Sequence, residues 1–211
     1  MDPTPTLVCF AVKEETKFFK AANCRLLITG MGQKNATAGL QKELASGQPG
    51  LVFTCGFAGG LNPGLSVGDV VFDANDAPAI KEKLIALGAT PGIFHCANKV
   101  AITIAEKKSL RQATAADAVE MESSAIRALC REKKIPAATI RVVSDAADED
   151  LPLDFNALMT PDYRLSMAKL LGKLMREPMK IPQLMEFQKR TVFAARRLGE
   201  VLEKLLAAGQ S

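Results

Sequence analysis

Three carboxylates in this chain sit where a strand-like apolar run gives way to a turn: Glu15 after "TLVCFAV", Glu122 in "VEMES", and Asp145 at the end of "ATIRVVSD". In α/β proteins ligands gather at such strand ends. Carboxyl groups placed there can protonate a leaving group, accept hydrogen bonds from ligand hydroxyls, or direct a nucleophile. Asp145 is followed by Asp148, Glu149 and Asp150. Like charges beside a partly buried carboxyl favour its protonated form, the form a general acid needs. For Glu15 alone, an acid favoured at a helix N-terminus by the helix dipole is the simpler explanation. The single histidine, His95, lies in an apolar strand-like run and is expected in the core, which leaves little for histidine-based catalysis.

Glycine turns border these acids. In "TGMGQKNATAG", Gly30 and Gly32 lie between a strand and a helix, but Asn35 stands where a dinucleotide fingerprint needs its third glycine. Twenty residues on, Gly50, Leu51 and Val52 offer no acid for a ribose, so a nicotinamide-dependent oxidoreductase lacks two of its parts. Backbone N–H groups of such a turn, Gly32 among them, can still meet water, phosphate or ribose hydroxyls. A tight turn that needs permissive backbone angles explains it equally well. In "TCGFAGGLNPGLSVGD", Gly56, Gly59, Gly60, Gly64 and Gly68 follow a strand within thirteen residues, a density that lets a ring or sugar lie against bare backbone.

Positioning these groups takes an alternation of strands and helices. "TLVCFAV", "RLLITG", "LVFTCG", "GDVVF", "GIFHC" and "PAATIRVVS" read as strands, with "KVAIT" as a further candidate. "EETKFFKAA", "NATAGLQKELASG", "APAIKEKLIALGA" and the run after "AVEMES" read as helices. This predicts an α/β fold around a largely buried sheet, in one domain spanning 1–211. Two amphipathic helices close the chain, at about 162–175 and 182–207, separated by "REPMKIP". In the second, Leu184, Gln188, Thr191, Ala195, Leu198, Leu202 and Leu205 recur at helical spacing, as a packing face would.

With 211 residues, 48% of them hydrophobic and 24% charged, the chain can bury a real core. Cys9, Cys24, Cys55, Cys96 and Cys130 are odd in number and scattered, which argues against disulfides or a zinc site and fits a reducing compartment. The N-terminus carries an acid and two prolines in place of the basic residues of a signal peptide, and no run is long enough to span a bilayer. A cytoplasmic location is expected. Net charge is +4, unevenly spread: between Arg164 and Lys204 ten Lys/Arg face four Asp/Glu. Such a basic segment can be a solvated helical face or can touch an acidic membrane surface. It lacks the interleaved aromatics of a single-strand nucleic-acid binder, so no nucleic-acid partner is expected.

"GFAGGL" with "VGDVV", then "AVEMES", then "RVVSDAAD", in that order, resemble the motifs of the purine/uridine phosphorylase superfamily. Among its branches the methylthioadenosine/S-adenosylhomocysteine nucleosidases are the nearest well-understood one. Phe57 in "CGFAGGL", a short middle region and the tail "LMREPMKIPQLMEFQKRTVFAARRLGEVL" are similar to a hopanoid-associated phosphorylase branch, linked to removal of adenine from adenosylhopane. The resemblance implies a three-layer sandwich with a central mixed sheet, and cleavage of a purine nucleoside's N-glycosidic bond. By it, Asp145 protonates N7 of the leaving base with Ser144 holding it, and Glu15 orients the attacking water. Glu122 takes the ribose 2′- and 3′-hydroxyls, and Met121 packs on the sugar. Glu120, Phe57, Ala58, Gly59 and Gly32 complete the expected substrate-binding set. No metal and no cofactor are implied, with phosphate an alternative to water as co-substrate, and a homodimer is expected.

Two departures from the pattern stand out. Phe57 replaces a serine that helps hold the catalytic acid, and only 47 residues separate Phe72 from Glu120, where the nucleosidases carry a longer segment that caps the purine. A more open pocket is expected, able to admit a large 5′ substituent. No basic residue precedes the glycine-rich turn to gather a phosphate dianion, which favours water as nucleophile. A non-catalytic nucleoside-binding module is the alternative.

Overall fold

The computed structural model describes residues 5–20 and 23–208. The chain runs β1 (Thr6–Phe10), β2 (Cys24–Ile28), α1 (Gln33–Leu44), β3 (Leu51–Gly60), β4 (Val70–Asp73), α2 (Lys81–Ala86), β5 (Thr90–Pro91), β6 (Phe94–Cys96) and α3 (Ile104–Thr114). It continues through β7 (Ala118–Glu120), α4 (Ser123–Glu132), β8 (Ala137–Asp145), α5 (Phe155–Leu158), α6 (Met167–Arg176) and α7 (Ile181–Ala207).

The strands form one eight-stranded sheet with the order β2-β1-β3-β8-β4-β5, and β7 and β6 branch from the end of β3. β2, β1, β3 and β8 are parallel, β4 runs antiparallel to β8, and β7 antiparallel to β3, so the sheet is mixed as expected. Successive strand residues face opposite sides. Leu7, Cys9 and Val52 therefore pack under α1 and α4 with Leu40, Ile126 and Leu129. Val8, Phe10, Phe53, Ile140 and Val142 pack under α7 with Leu198 and Leu202. Helices thus cover both faces, giving the expected three layers, and each fully buried Leu, Val or Phe contributes about 1.5–3 kcal/mol.

In the long terminal helix, Ala195, Leu198, Leu202 and Leu205 of the expected stripe are buried, joined by Ala194, Gly199 and Val201. The helix crosses so close to the segment after β1 that a Cβ on Gly199 would lie 2.6 Å from the Phe18 carbonyl oxygen. Three of its basic residues have partners within the chain. Arg190 meets Glu149 at 2.5 Å, Arg197 meets Glu200 at 2.8 Å, and Arg196 lies 4.7 Å over the Phe18 ring. From Ala194 onward it is a packing helix. The exposed apolar residues lie before that point, with Met167, Leu171 and Met175 on α6 and Met185 on the first turns of α7.

Several expectations are corrected. The helix expected at 14–22 is only a 3₁₀ turn at Lys13–Thr16, and residues 21–22 lie outside the described residues. "KVAIT" is not a strand; it leads into α3, which periodicity did not reveal because the helix buries only Lys107. His95 is half-buried and not a core residue, because β6 pairs with β7 alone, away from the covered centre of the sheet. The cysteines Cys9, Cys24, Cys55, Cys96 and Cys130 are all free thiols. No described helix is long and apolar enough to cross a membrane.

Candidate active site

The site is made by a change of partner at the end of β3. From Val52 to Ala58, β3 pairs in register with β8, Ala58 opposite Val143; the next pair is Gly59 with Asp145, a bulge at Ser144. A bulge turns the following side chain out of the regular pleat. Here it re-aims Asp145, while Gly59 and Gly60 go on to pair with Val119 and Ala118 of β7. The same turn of β3 thus brings Asp145 and the Glu120–Glu122 segment together. Bare backbone suits this crossing, since a Cβ on Gly59 would press to 3.2 Å from both Asp145 Oδ2 and Val119 Cγ1.

Asp145 is buried and held on both oxygens. Ser144 Oγ donates to Oδ1 at 2.7 Å and lies 3.3 Å from the Ala58 carbonyl. The Lys107 ammonium, itself fully buried, sits 2.6 Å from Oδ2. The like-charge neighbourhood expected from Asp148, Glu149 and Asp150 is absent. Asp148 is exposed, Glu149 faces Arg190, and Asp150 accepts from the Ile104 backbone N–H at 2.7 Å. Phe57 brings no polar group, so Ser144 and Lys107 are the side chains that hold Asp145.

Glu15, beside the end of β1, is buried with three backbone donors: Ala11 N at 2.9 Å and Val12 N at 3.1 Å on Oε2, and Phe57 N at 2.8 Å on Oε1. Burial raises its pKa above the ordinary value, more than these bonds and nearby Arg141 lower it. Its fit depends on Gly56, where φ is +147°. A Cβ there would fall on Glu15 Oε1 and 2.5 Å from Arg141 Nη1.

Arg141 organises the acids. It is fully buried on β8 and reaches Glu120 Oε2 at 2.6 Å, Glu122 Oε2 at 3.3 Å, Thr54 Oγ1 at 3.2 Å and the Cys55 carbonyl at 3.1 Å. Burial opposes its charge, but Glu120, Glu122 and Glu15 outweigh that and hold it protonated. Glu120 is committed to the protein: Oε2 also accepts from Glu122 N and Ser123 N, and Oε1 from Ser123 Oγ at 2.7 Å. Burial pushes its pKa up, yet Arg141 and these donors leave it below the ordinary value. Glu122 differs. Its Oε1 accepts from Gly32 N at 2.8 Å, and burial, reinforced by Glu120 against the pull of Arg141, pushes its pKa up to about 7.

Glu15, Met121, Glu122, Glu120, Phe57, Ala58, Gly59, Ser144 and Asp145 all line one cavity of about 400 Å³. Gly32 stands behind it as the donor that sets Glu122. Apart from Glu14, Lys99 and Thr191 the rest of the wall is apolar and includes Leu151, Phe155, Met159, Leu165 and Phe187. Phe155 and Phe187 touch, with centroids 5.6 Å apart, tying α5 to α7. Two residues of the site were not anticipated. Arg141 is signalled by a lone charge inside "ATIRVVSD", which a buried strand tolerates only when paired. Lys107 is signalled by the capping box of Thr103 and Glu106, which marks the start of α3 and so puts Lys107 in its first turns.

A model of the Phosphorylase superfamily matches residues 11–72 and 78–176. Three solved structures share the fold at a TM-score of 0.70. Futalosine hydrolase of Helicobacter pylori is 14% identical, over 97% of this chain and 98% of that one. The methylthioadenosine/S-adenosylhomocysteine nucleosidase of Colwellia psychrerythraea, solved with adenine, is 16% identical over 98% and 96%. The S-adenosylhomocysteine nucleosidase of Streptococcus pyogenes is 15% identical over 99% and 98%. The segments of this chain that carry Glu15, Glu122 and Asp145 all fall inside the residues the family model matches, and the chain belongs to the phosphorylase superfamily.

Proposed function

We propose that this enzyme, which its superfamily makes a nucleosidase or phosphorylase, cleaves the N-glycosidic bond of a purine nucleoside with water as the nucleophile. The observation that carries this is the convergence of Asp145, Glu122 and Glu15, from three separate strand ends, on one cavity of about 400 Å³. As the bond breaks, negative charge grows on the base and positive charge on the sugar, so catalysis lies in groups that meet those charges. Asp145 protonates N7. Glu122 accepts the ribose hydroxyls and its charge stabilises the oxocarbenium-like sugar. Glu15, anchored by Ala11, Val12 and Phe57, orients the water and takes its proton.

Water is favoured over phosphate by the charge of the wall. Lys99 is the only cation among the described lining residues, and it is mostly exposed and 3.1 Å from Glu106. Lys34, the early basic residue nearest the Gly32 turn, is exposed and does not line the cavity. A dianion would find little to hold it. The finer proposal is an apolar 5′ group of the adenosylhopane kind, supported by the wall of Leu151, Phe155, Met159, Leu165 and Phe187. The test is incubation with adenosine, methylthioadenosine and a 5′-alkyl adenosine, with and without phosphate. Free adenine and free sugar without phosphate are expected, with the alkyl substrate preferred. A ribose 1-phosphate product would reverse the choice of nucleophile, and no adenine from any substrate would leave a binding module.

A pH dependence follows from Glu122. Its carboxyl is ionised above about 7 and protonated below, and the protonated form cannot accept from both hydroxyls. kcat/KM is expected to fall as pH drops through about 7, and Glu122→Gln is expected to remove that limb. A wild-type profile flat from pH 8 to pH 5 would take Glu122 out of sugar binding.

A further inference from the structure

We infer that Lys107 is the positioning residue that stores the proton Asp145 delivers to the leaving base. The inference rests on Asp145 being the general acid. Lysine is almost never fully buried, yet the Lys107 side chain has no exposed surface. Its ammonium has three protons and three acceptors: Asp145 Oδ2 at 2.6 Å, the Ala146 carbonyl at 2.6 Å and the Glu149 carbonyl at 2.8 Å. Every Nζ proton is thereby directed, and one points at the carboxylate that must act.

The fold fixes this geometry from both sides. α3 begins at a capping box in which Thr103 Oγ1 accepts from Glu106 N and Glu106 returns to Thr103 N. Asp150 accepts from Ile104 N, and Leu151 N donates to the Ile102 carbonyl at 2.8 Å, so the loop after Asp145 is stitched to the start of α3. The charged groups around the pair are otherwise engaged. Glu149 is held by Arg190 of α7, Glu106 by Lys99, and Asp150 by the α3 backbone, while Gly59 and Gly60 of β3, which lie against Asp145, carry no charge.

The chemistry requires such a store. With Ser144 donating to Oδ1 and Lys107 to Oδ2, the ligand-free carboxylate has a donor on each oxygen and no proton of its own to give. As the N9–C1′ bond breaks and its electron pair moves into the purine, Lys107 gives a proton to Asp145 Oδ2, and Asp145 passes that proton on to N7. Water adds to C1′ and loses a proton to Glu15. Lys107, left as a neutral amine, recovers a proton from solvent once the base has gone, and Glu15 releases one. With both side chains buried, the neutral amine–acid pair is accessible because charge separation gains little from solvent. Without Lys107, Asp145 has to draw the proton it delivers from solvent, a supply that falls as pH rises.

The test compares Lys107→Met and Lys107→Arg with the wild type, reading kcat for adenine release from pH 5 to 9 and checking folding by circular dichroism. Taking the ratio to wild type cancels the limb assigned to Glu122. For Lys107→Met that ratio is expected to fall with rising pH, by about 100-fold at the alkaline end. Lys107→Arg keeps a cation but cannot release its proton, so it is expected to stay slow throughout. A pH-independent Lys107→Met ratio, or wild-type kcat in Lys107→Arg, overturns the inference. If neither variant folds, the wild-type profile decides: kcat level from pH 7 to 9 supports it, and a fall of about tenfold per pH unit there overturns it. Asp145→Asn run in parallel separates the two readings. An active Asp145→Asn removes the general acid itself, while an inactive one beside a pH-independent Lys107→Met ratio removes only the store.

Discussion

Asp145→Asn is expected to slow adenine release by about 10²–10⁴-fold while nucleoside binding persists, because an amide cannot give N7 a proton. The substitution is close to isosteric, and the asparagine oxygen can still accept from Ser144 Oγ or Lys107 Nζ, so the bulge at Ser144 should survive. What is lost is the acidic proton and the charge opposite Lys107. A buried cation stripped of its partner destabilises a protein by about 3–5 kcal/mol when nothing replaces it; the amide oxygen and the carbonyls of Ala146 and Glu149 soften that loss. Single-turnover adenine release, calorimetric binding of adenosine and a melting curve separate the three effects. Wild-type turnover in a folded Asp145→Asn protein would remove Asp145 from the mechanism.

Arg141→Met is expected to destabilise the fold by about 3–5 kcal/mol, because it leaves Glu120, Glu122 and Glu15 buried without their shared cation. For a chain of this length that is roughly 6–20 °C in melting temperature. The direction with pH is fixed by linkage. Carboxyls whose folded pKa lies above the unfolded one take up protons on folding, so their penalty shrinks as pH falls and is complete above the folded value. Glu122 already stands at about 7 and Glu15 above its ordinary value with Arg141 in place. The variant should therefore be weakest at alkaline pH and recover part of its stability near pH 5. Thermal melts of both proteins at pH 5, 7 and 9 measure this. Equal losses at all three would mean that Arg141 acts through packing and not through charge.

Much of the fold was legible in the chain because period and punctuation carry it. The runs "TLVCFAV", "LVFTCG" and "PAATIRVVS" read as strands and fall on β1, β3 and β8, though β3 runs on to Gly60, and the stripe ending at Leu205 read as a packing helix. Glu15, Glu122 and Asp145 stood out because each ends an apolar run, and the structure gathers all three at one cavity. The failures have local causes. "EETKFFKAA" has helical composition, but a 3₁₀ turn fits where Glu15 must turn inward to the Ala11, Val12 and Phe57 amides. α3 shows no apolar face because its one buried residue is a lysine.

By itself, then, the sequence determined which residue types stand at which strand ends, the alternation that builds a doubly covered sheet, and the ordered motifs that mark the superfamily. Only the tertiary structure decided what each charge faces. The bulge at Ser144 turns Asp145 toward Lys107, 38 residues away along the chain in another element, and not toward the acids that follow it. Arg141 likewise separates the roles of Glu120 and Glu122, two residues apart: one carboxylate is saturated by protein donors, the other is left able to meet a ligand. Spacing along a chain sets neither outcome, because the strength of a buried charge interaction depends on distance and solvent access, which exist only once the strands have paired.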